Sequence, residues 1–126
     1  MSEIRANTIS DAAGTGPIDL HKQTAAKAWV TFKGTATAVI AASEGVASIV
    51  DNGTGDYTVN FSNSFSSTTY GYAGMGGLNT TSLICVVQPR NLIAPTASSI
   101  RHQTVRIDGV VIDARTASIV YHGDLA

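Results

Sequence analysis

The sequence has few charged residues and a single cysteine. Asp, Glu, Lys and Arg make up 13% of its 126 residues, against about 25% in an average soluble domain. One cysteine excludes a disulfide within the chain, and three scattered histidines do not form the clustered pattern of a metal site. A net charge of −1 offers no basic surface for nucleic acid. No apolar run approaches the roughly 20 residues of a membrane span, so we expect no membrane insertion.

Residues 1–26 differ in composition from the rest of the chain. Turn and breaker residues cluster at 10–17, and only four large apolar side chains follow Met1: Ile4, Ile9, Ile18 and Leu20. Such a segment buries too little apolar surface to offset the entropy lost on ordering. The segment is therefore either disordered or an extended arm that orders against another surface. Isolated isoleucines at intervals suit a strand-like segment that docks along a surface, so we interpret 1–26 as an extended N-terminal attachment arm with these four side chains as its anchors, and 27–126 as one folded domain.

From Lys27 onward, apolar and polar residues alternate with the period of two that is typical of β-strands. The clearest alternation places Tyr57, Val59 and Phe61 on one face. About eight strands are predicted, near 28–33, 35–41, 46–50, 57–61, 68–73, 82–87, 100–107 and 116–121. Short strands between turn signals predict an all-β fold, a small antiparallel β-sandwich of jelly-roll-like form. The continuous apolar run at 82–87 predicts a central strand buried on both faces.

No motif for catalysis or cofactor binding emerges. Residues 51–56 lack the ligand spacing of a calcium loop and predict a hairpin turn instead. Gly74–Gly77 is predicted to be a loop, and no Lys-Ser/Thr pair follows it to hold phosphates. No serine lies in a Gly-x-Ser-x-Gly motif, and Asp108 and Asp113 flank a predicted hairpin, where Asp suits turn geometry. We predict no enzymatic activity, no cofactor and no metal site.

Tyr70, Tyr72 and Met75 are the candidate receptor contacts. The sequence pattern places both tyrosines on one face of a predicted strand, directly before the glycine-rich segment that contains Met75. The low charge content has a separate implication. A surface rich in Thr, Ser, Ala and Val is prone to association, which predicts a homo-oligomer.

Four stretches of the chain resemble structural proteins of tailed bacteriophage virions, especially those of aquatic phages. The opening 1–16 is similar to the start of many tail-fibre proteins, while 27–34, 51–61 and the ending 121–126 resemble a β-rich module at the distal ends of such fibres. The resemblance implies a homotrimer located in the virion. It also implies a short tail fibre or tail-tip protein whose arm attaches to other tail proteins and whose β-domain adsorbs to the host surface, with surface polysaccharide as the expected receptor.

Two alternatives stay open. The arm leads directly into the β-domain without a fibre shaft, which is also compatible with a capsid decoration (cement) protein that stabilises the phage head. A glycan-cleaving enzyme would need a pair of carboxylates flanking the scissile bond, and the sequence offers no convincing pair.

Overall fold

The structure is a computed structural model that describes residues 26–78 and 84–126. The predictions for the arm, with its anchors Ile4, Ile9, Ile18 and Leu20, therefore lie outside the described residues. The strands are β1 (Ala28–Lys33), β2 (Val39–Glu44), β3 (Val46–Gly53), β4 (Asp56–Phe61), β5 (Gly71–Gly77), β6 (Ile84–Pro89), β7 (Ser99–Arg106) and β8 (Thr116–His122). The prediction of an all-β fold with eight strands is confirmed.

All eight strands belong to one antiparallel sheet, in the order β2-β1-β8-β5-β6-β7-β4-β3, which curls into a nearly closed barrel. The two end strands are consecutive in the chain and meet at Gly45, which has a φ of +67°. At their other end, the Ala38 N–H donates to Asp51 Oδ2 at 2.9 Å. The predicted jelly-roll-like sandwich of two sheets is therefore wrong in its layering. Alternation specifies one inward face per strand, which a barrel satisfies as well as a sandwich.

Inward-facing side chains of the strands fill the barrel. Val30, Phe32, Tyr57, Val59 and Phe61 are buried, as the alternation predicted. The other buried apolar residues are Ala28, Phe65, Tyr70, Cys85, Ile100, Ala114, Ala117, Ile119 and Tyr121. Two connections thus add to the core, since the link between β4 and β5 supplies two aromatic rings and the link between β7 and β8 supplies an alanine.

Phe61 is the centre of an aromatic cluster. Its ring meets those of Phe65, Tyr70 and Tyr121 edge-on, with centroid distances of 5.0, 5.5 and 4.9 Å. Phe65 and Tyr70 also stack on each other at 4.4 Å. Edge-to-face pairs contribute about 0.5–1.5 kcal/mol beyond their buried area. The cluster therefore fixes the connection between β4 and β5 onto the barrel.

Gly74–Gly77 is part of strand β5 and not the predicted loop. Gly76 lies opposite Ala117 and so faces the interior. A Cβ at Gly76 would lie 3.0 Å from the Cys85 Sγ, closer than side chains normally pack. Glycine therefore makes room here for side chains of neighbouring strands. A glycine-rich sequence alone does not distinguish this role from that of a flexible turn.

Strand β6 is covered on its inner face only, so the prediction that it is buried on both faces is wrong. Cys85 points inward and is fully buried, whereas Ile84 is 58% exposed and Val86 48% exposed. The physical reason is the layering. A barrel of one sheet has no second layer to cover the outward side chains of β6. Leu83, predicted to share this strand's burial, lies outside the described residues.

Phe61→Ala is expected to lower the free energy of unfolding by about 3–5 kcal/mol, because truncation leaves a cavity at the centre of the aromatic cluster. Urea denaturation measures the change. The control is Val50→Ala on β3, where the side chain is 45% exposed and the expected change is about 0.5 kcal/mol. A loss below about 1 kcal/mol for Phe61→Ala would contradict this description of the core.

Gly76→Ala is expected to cost about 1–3 kcal/mol, because the added methyl group overpacks the contact with the Cys85 sulfur. The neighbouring Gly77→Ala is the matched control, since its nearest contact would be the Thr116 carbonyl oxygen at 4.0 Å. Combining Gly76→Ala with Cys85→Ala should cost less than the sum of the two single changes. Equal effects of Gly76→Ala and Gly77→Ala in urea denaturation would show that the interior contact is not limiting.

Candidate interaction surface

The outward side of the sheet carries a contiguous apolar surface across β1, β8, β5 and β6. The strand register places Met75 opposite Val86, Ala73 opposite Val120, and Val120 opposite Trp29. Met75 is 70% exposed. We call this surface the apolar face and define it by Trp29, Ala73, Met75, Ile84, Val86 and Val120. Because exposed apolar patches are typical of interaction sites, the apolar face is the candidate interaction surface.

The surroundings of the apolar face are uncharged on β8, β5 and β6, whereas Glu44 on β2 lies opposite Trp29 at its margin. Among the described residues of β8, β5 and β6, the outward positions hold no Asp, Glu, Lys or Arg side chain. Their polar members are small or neutral, and the hydroxyls of Thr31 and Ser118 hydrogen-bond to each other at 2.9 Å. A partner therefore meets little desolvation cost from charged groups on these three strands.

The outward side of β4 and β7 has the opposite character. Arg101 donates from Nε and Nη2 to the two carboxylate oxygens of Asp56 at 2.7 and 2.8 Å, and Arg90 Nε lies 3.5 Å from the same carboxylate. The hydrogen bond from Arg101 lowers the pKa of Asp56 below its ordinary value. Nearby, Asn52 donates to the Thr58 hydroxyl oxygen at 2.8 Å. This side of the barrel is polar and internally hydrogen-bonded.

A third feature lies at one end of the barrel, where Tyr72 covers a buried histidine. Tyr72 is opposite Tyr121 in the strand register, and its ring centroid lies 5.7 Å from that of His102. His102 is 1% exposed. Its Nε2 is hydrogen-bonded to the Tyr121 hydroxyl at 2.8 Å. Burial lowers the pKa of His102 to about 4, so the imidazole is neutral at pH 7.

The structure separates the three candidate receptor contacts. Tyr70 is buried, and its hydroxyl donates to the carbonyl oxygens of Thr96 and Ser99 at 3.0 and 3.2 Å. Tyr72 and Met75 are both exposed, but they project from opposite faces of β5 because they lie three positions apart in a strand. Tyr70 is thus a core residue, and the other two cannot together contact one small ligand.

The polar groups around Asp113 hold the fold together. Tyr57 donates from its hydroxyl to Asp113 Oδ1 at 2.8 Å and to the Gly34 carbonyl oxygen at 3.1 Å. The Gly55 N–H donates to the same Asp113 oxygen at 2.6 Å. Burial raises the pKa of Tyr57 above its ordinary value. Within the described ranges, no group of three or more His, Cys, Asp and Glu residues could hold a metal ion.

The sequence interpretation missed the apolar face, although one signal pointed to it. The uninterrupted run Ile84–Val87 lacks the alternation of a half-exposed strand. The run predicts burial within the domain, whereas its outward members Ile84 and Val86 are exposed in the structure. A continuous apolar run predicts that both faces of a strand are buried. It does not indicate whether the same domain or another molecule buries the outward face.

Stability is expected to fall as the pH drops from about 6.5 to about 4. The folded state depresses the pKa of His102, so in this window the unfolded chain binds a proton that the folded chain does not. The stabilisation is fully present above the ordinary pKa of 6.5 and is lost toward pH 4, by up to about 3 kcal/mol. Urea denaturation at several pH values measures the slope.

Two substitutions assign that slope. His102→Gln should remove most of the pH dependence between 6.5 and 4, whereas His122→Gln, at an exposed position on β8, should retain it. Asp56 acts in a lower window, because its lowered pKa makes its contribution disappear only below about pH 3.8. An unchanged slope in His102→Gln would show that another group titrates.

No protein-family model, curated protein or solved structure matches the chain. In the part of the chain that the structure describes, no helix is long and apolar enough to cross a membrane. The surface of the barrel itself offers three features: an apolar face whose strands β8, β5 and β6 carry no outward charge among the described residues, a polar ion-paired side and an aromatic end.

Proposed function

We propose that the protein is a structural protein of a tailed-phage virion, a short tail fibre or tail-tip protein. Its N-terminal arm attaches to other tail proteins, and its β-domain adsorbs to the host surface. The supporting observation is the layout of the chain. A segment rich in turn residues leads at Ala28 into a barrel, and the stretches that resemble virion proteins lie in both parts.

A role in assembly also agrees with the distribution of charge. The chain has 13% charged residues. Among the described residues, no Asp, Glu, Lys or Arg occupies an outward position of β8, β5 or β6. A protein that remained alone in water would expose this surface to non-specific association. We propose a homotrimer on the basis of the family resemblance and this low charge.

We assign the host contact to Tyr72. Its ring lies at the end of the barrel and packs at a steep angle against the rings of the buried His102 and Tyr70, at centroid distances of 5.7 and 6.4 Å. These contacts hold the ring in place while 38% of the residue stays exposed. Such a ring can stack on the C–H side of a sugar ring at low entropic cost. Surface polysaccharide is the receptor class that we propose.

The second candidate is a capsid decoration protein, which the apolar face favours. Decoration requires a broad surface that packs on other protein subunits, and Met75, Ile84 and Val86 provide one. Antibody labelling of virions distinguishes the two roles. Label at the tail tip supports the fibre, and label distributed over the head rejects it.

Deletion of residues 1–20 is expected to abolish incorporation into particles and to leave the β-domain folded. The physical reason is that β1 begins at Ala28, so every strand and the described core remain. Incorporation is measured by immunoblotting of purified virions, and folding by thermal denaturation. Tyr72→Ala is the matched control, because it should be incorporated normally and lose host adsorption.

Two results would contradict the proposal. Normal incorporation of the truncated protein would show that the arm is not the attachment element. An unfolded truncation would show that residues 1–20 belong to the core.

Sedimentation of the intact protein tests the assembly state. A mass of three chains is expected, and a stable monomer at micromolar concentration would exclude the trimer.

A further inference from the structure

We propose that the apolar face is the docking surface for a segment of the same chain, residues 18–20, with Ile18 and Leu20 as its apolar contacts. The proposal concerns how the barrel covers its exposed surface and does not depend on the virion role. It rests on where the chain enters the barrel, on the distance from there to the face, and on the chemistry of both sides.

The chain enters the barrel beside the apolar face. The Lys27 N–H donates to the Tyr121 carbonyl oxygen at 2.9 Å, which places the start of β1 against the end of β8. Two residues later Trp29 lies opposite Val120, which in turn lies opposite Ala73. The preceding residues therefore start at the margin of the face and need no crossing of the barrel to reach it.

The distances permit docking within one chain. Met75 lies on the second strand from β1, roughly 10 Å across the sheet, and four residues from Gly71, roughly 13 Å along β5. Lys27 lies seven positions after Leu20, and a chain of seven residues spans roughly 23 Å when extended. The direct path to Met75 is shorter than this reach, so Leu20 can contact Met75 and Val86 without strain.

The chemistry of the two sides matches. Ile18 and Leu20 are the large aliphatic side chains nearest to β1 among residues 1–26. Two residues apart, they project to the same side of an extended segment. The face offers them exposed Met and Val side chains with no charged neighbour on β8, β5 or β6. Ile4 and Ile9 lie farther from β1 and remain for contacts outside the barrel.

Tethering favours the chain's own segment over that of a second copy. A short tether gives an effective concentration in the millimolar range, far above the micromolar concentration of free protein in solution. A contact of only two aliphatic side chains is too small to hold separate molecules together. The same contact can form within one chain, where no association entropy is lost.

Paramagnetic relaxation in the full-length protein tests the proposal. A nitroxide on Asp19→Cys should remove most of the methyl signal intensity of Met75 and Val86 and leave that of Val50 on β3 unchanged. The native Cys85 is buried and is not expected to react with the label in the folded protein. The chain that carries both the nitroxide and the isotopes is diluted into an excess of chain that carries neither. Only effects within one molecule are then observed.

Paired variants of the segment provide the matched control. Ile18→Ser with Leu20→Ser should restore the Met75 and Val86 signals, whereas Ile4→Ser with Ile9→Ser should leave them suppressed. Both pairs lie outside the barrel strands, so the remaining spectrum reports that the barrel is intact.

Two results would overturn the proposal. If Met75 and Val86 keep their full intensity in the labelled chain, residues 18–20 do not dock on the apolar face. A second experiment mixes isotope-enriched chain that carries no nitroxide with nitroxide-carrying chain that is not enriched. If the Met75 and Val86 signals are lost only in this mixture, the segment docks on a second copy instead.

Discussion

The structure depends on one constraint, which is that a single curled sheet covers only its inner side. The strands place the side chains of the core inward, and the barrel has no second layer for the outward positions. Cys85 and Val86 show the consequence on adjacent residues, since the first is fully buried and the second half exposed. The core and the surface of β6 are thereby independent, so a change of the outward residue leaves the packing inside intact.

The same constraint explains the unusual composition of β5. A narrow barrel filled by Phe32, Tyr57, Ile119 and Tyr121 leaves little depth beneath one of its strands. Glycine at 76 lets the backbone of β5 lie directly on Cys85 and Ala114. A glycine in a strand interior ordinarily weakens the strand. Here the contacts of the neighbouring side chains offset that cost, and the outward residues of the strand remain free to form a surface.

Much of the fold could be predicted because alternation is a local signal. The pattern through Tyr57, Val59 and Phe61 identified the inward face of β4, and the glycines at 53 and 55 marked the turn before it, where both have a positive φ. The layering could not be predicted, because whether strands close into one sheet or divide into two depends on pairing between distant residues such as Trp29 and Val120. β2 begins at Val39, later than predicted, because Ala36 leaves the extended region with a φ of 63°.

The candidate site was harder to predict for the same physical reason. The exposure of Tyr70 and Tyr72 depends on what packs against them, and the sequence pattern does not contain that information. Tyr70 stacks on Phe65, a residue from an irregular connection with no periodic signal. The apolar run on β6 was visible, but its sequence does not state what covers it.

Charge is segregated on this barrel as well as scarce. Asp56, Arg90 and Arg101 form one ion-paired group on the β4 and β7 side, and Arg106 pairs with Asp108 at the adjoining hairpin. Among the described residues, the outward positions of β8, β5 and β6 carry no charged side chain, and the nearest exposed charges beyond β8 are Lys33 on β1 and Glu44 on β2. Exposed ion pairs add little stability, so their placement matters more for the polarity of this side of the barrel than for folding. Water solvates the charged side at low cost, and apolar contacts favour the uncharged one. The two sides therefore differ in the desolvation cost that contact with another surface would impose.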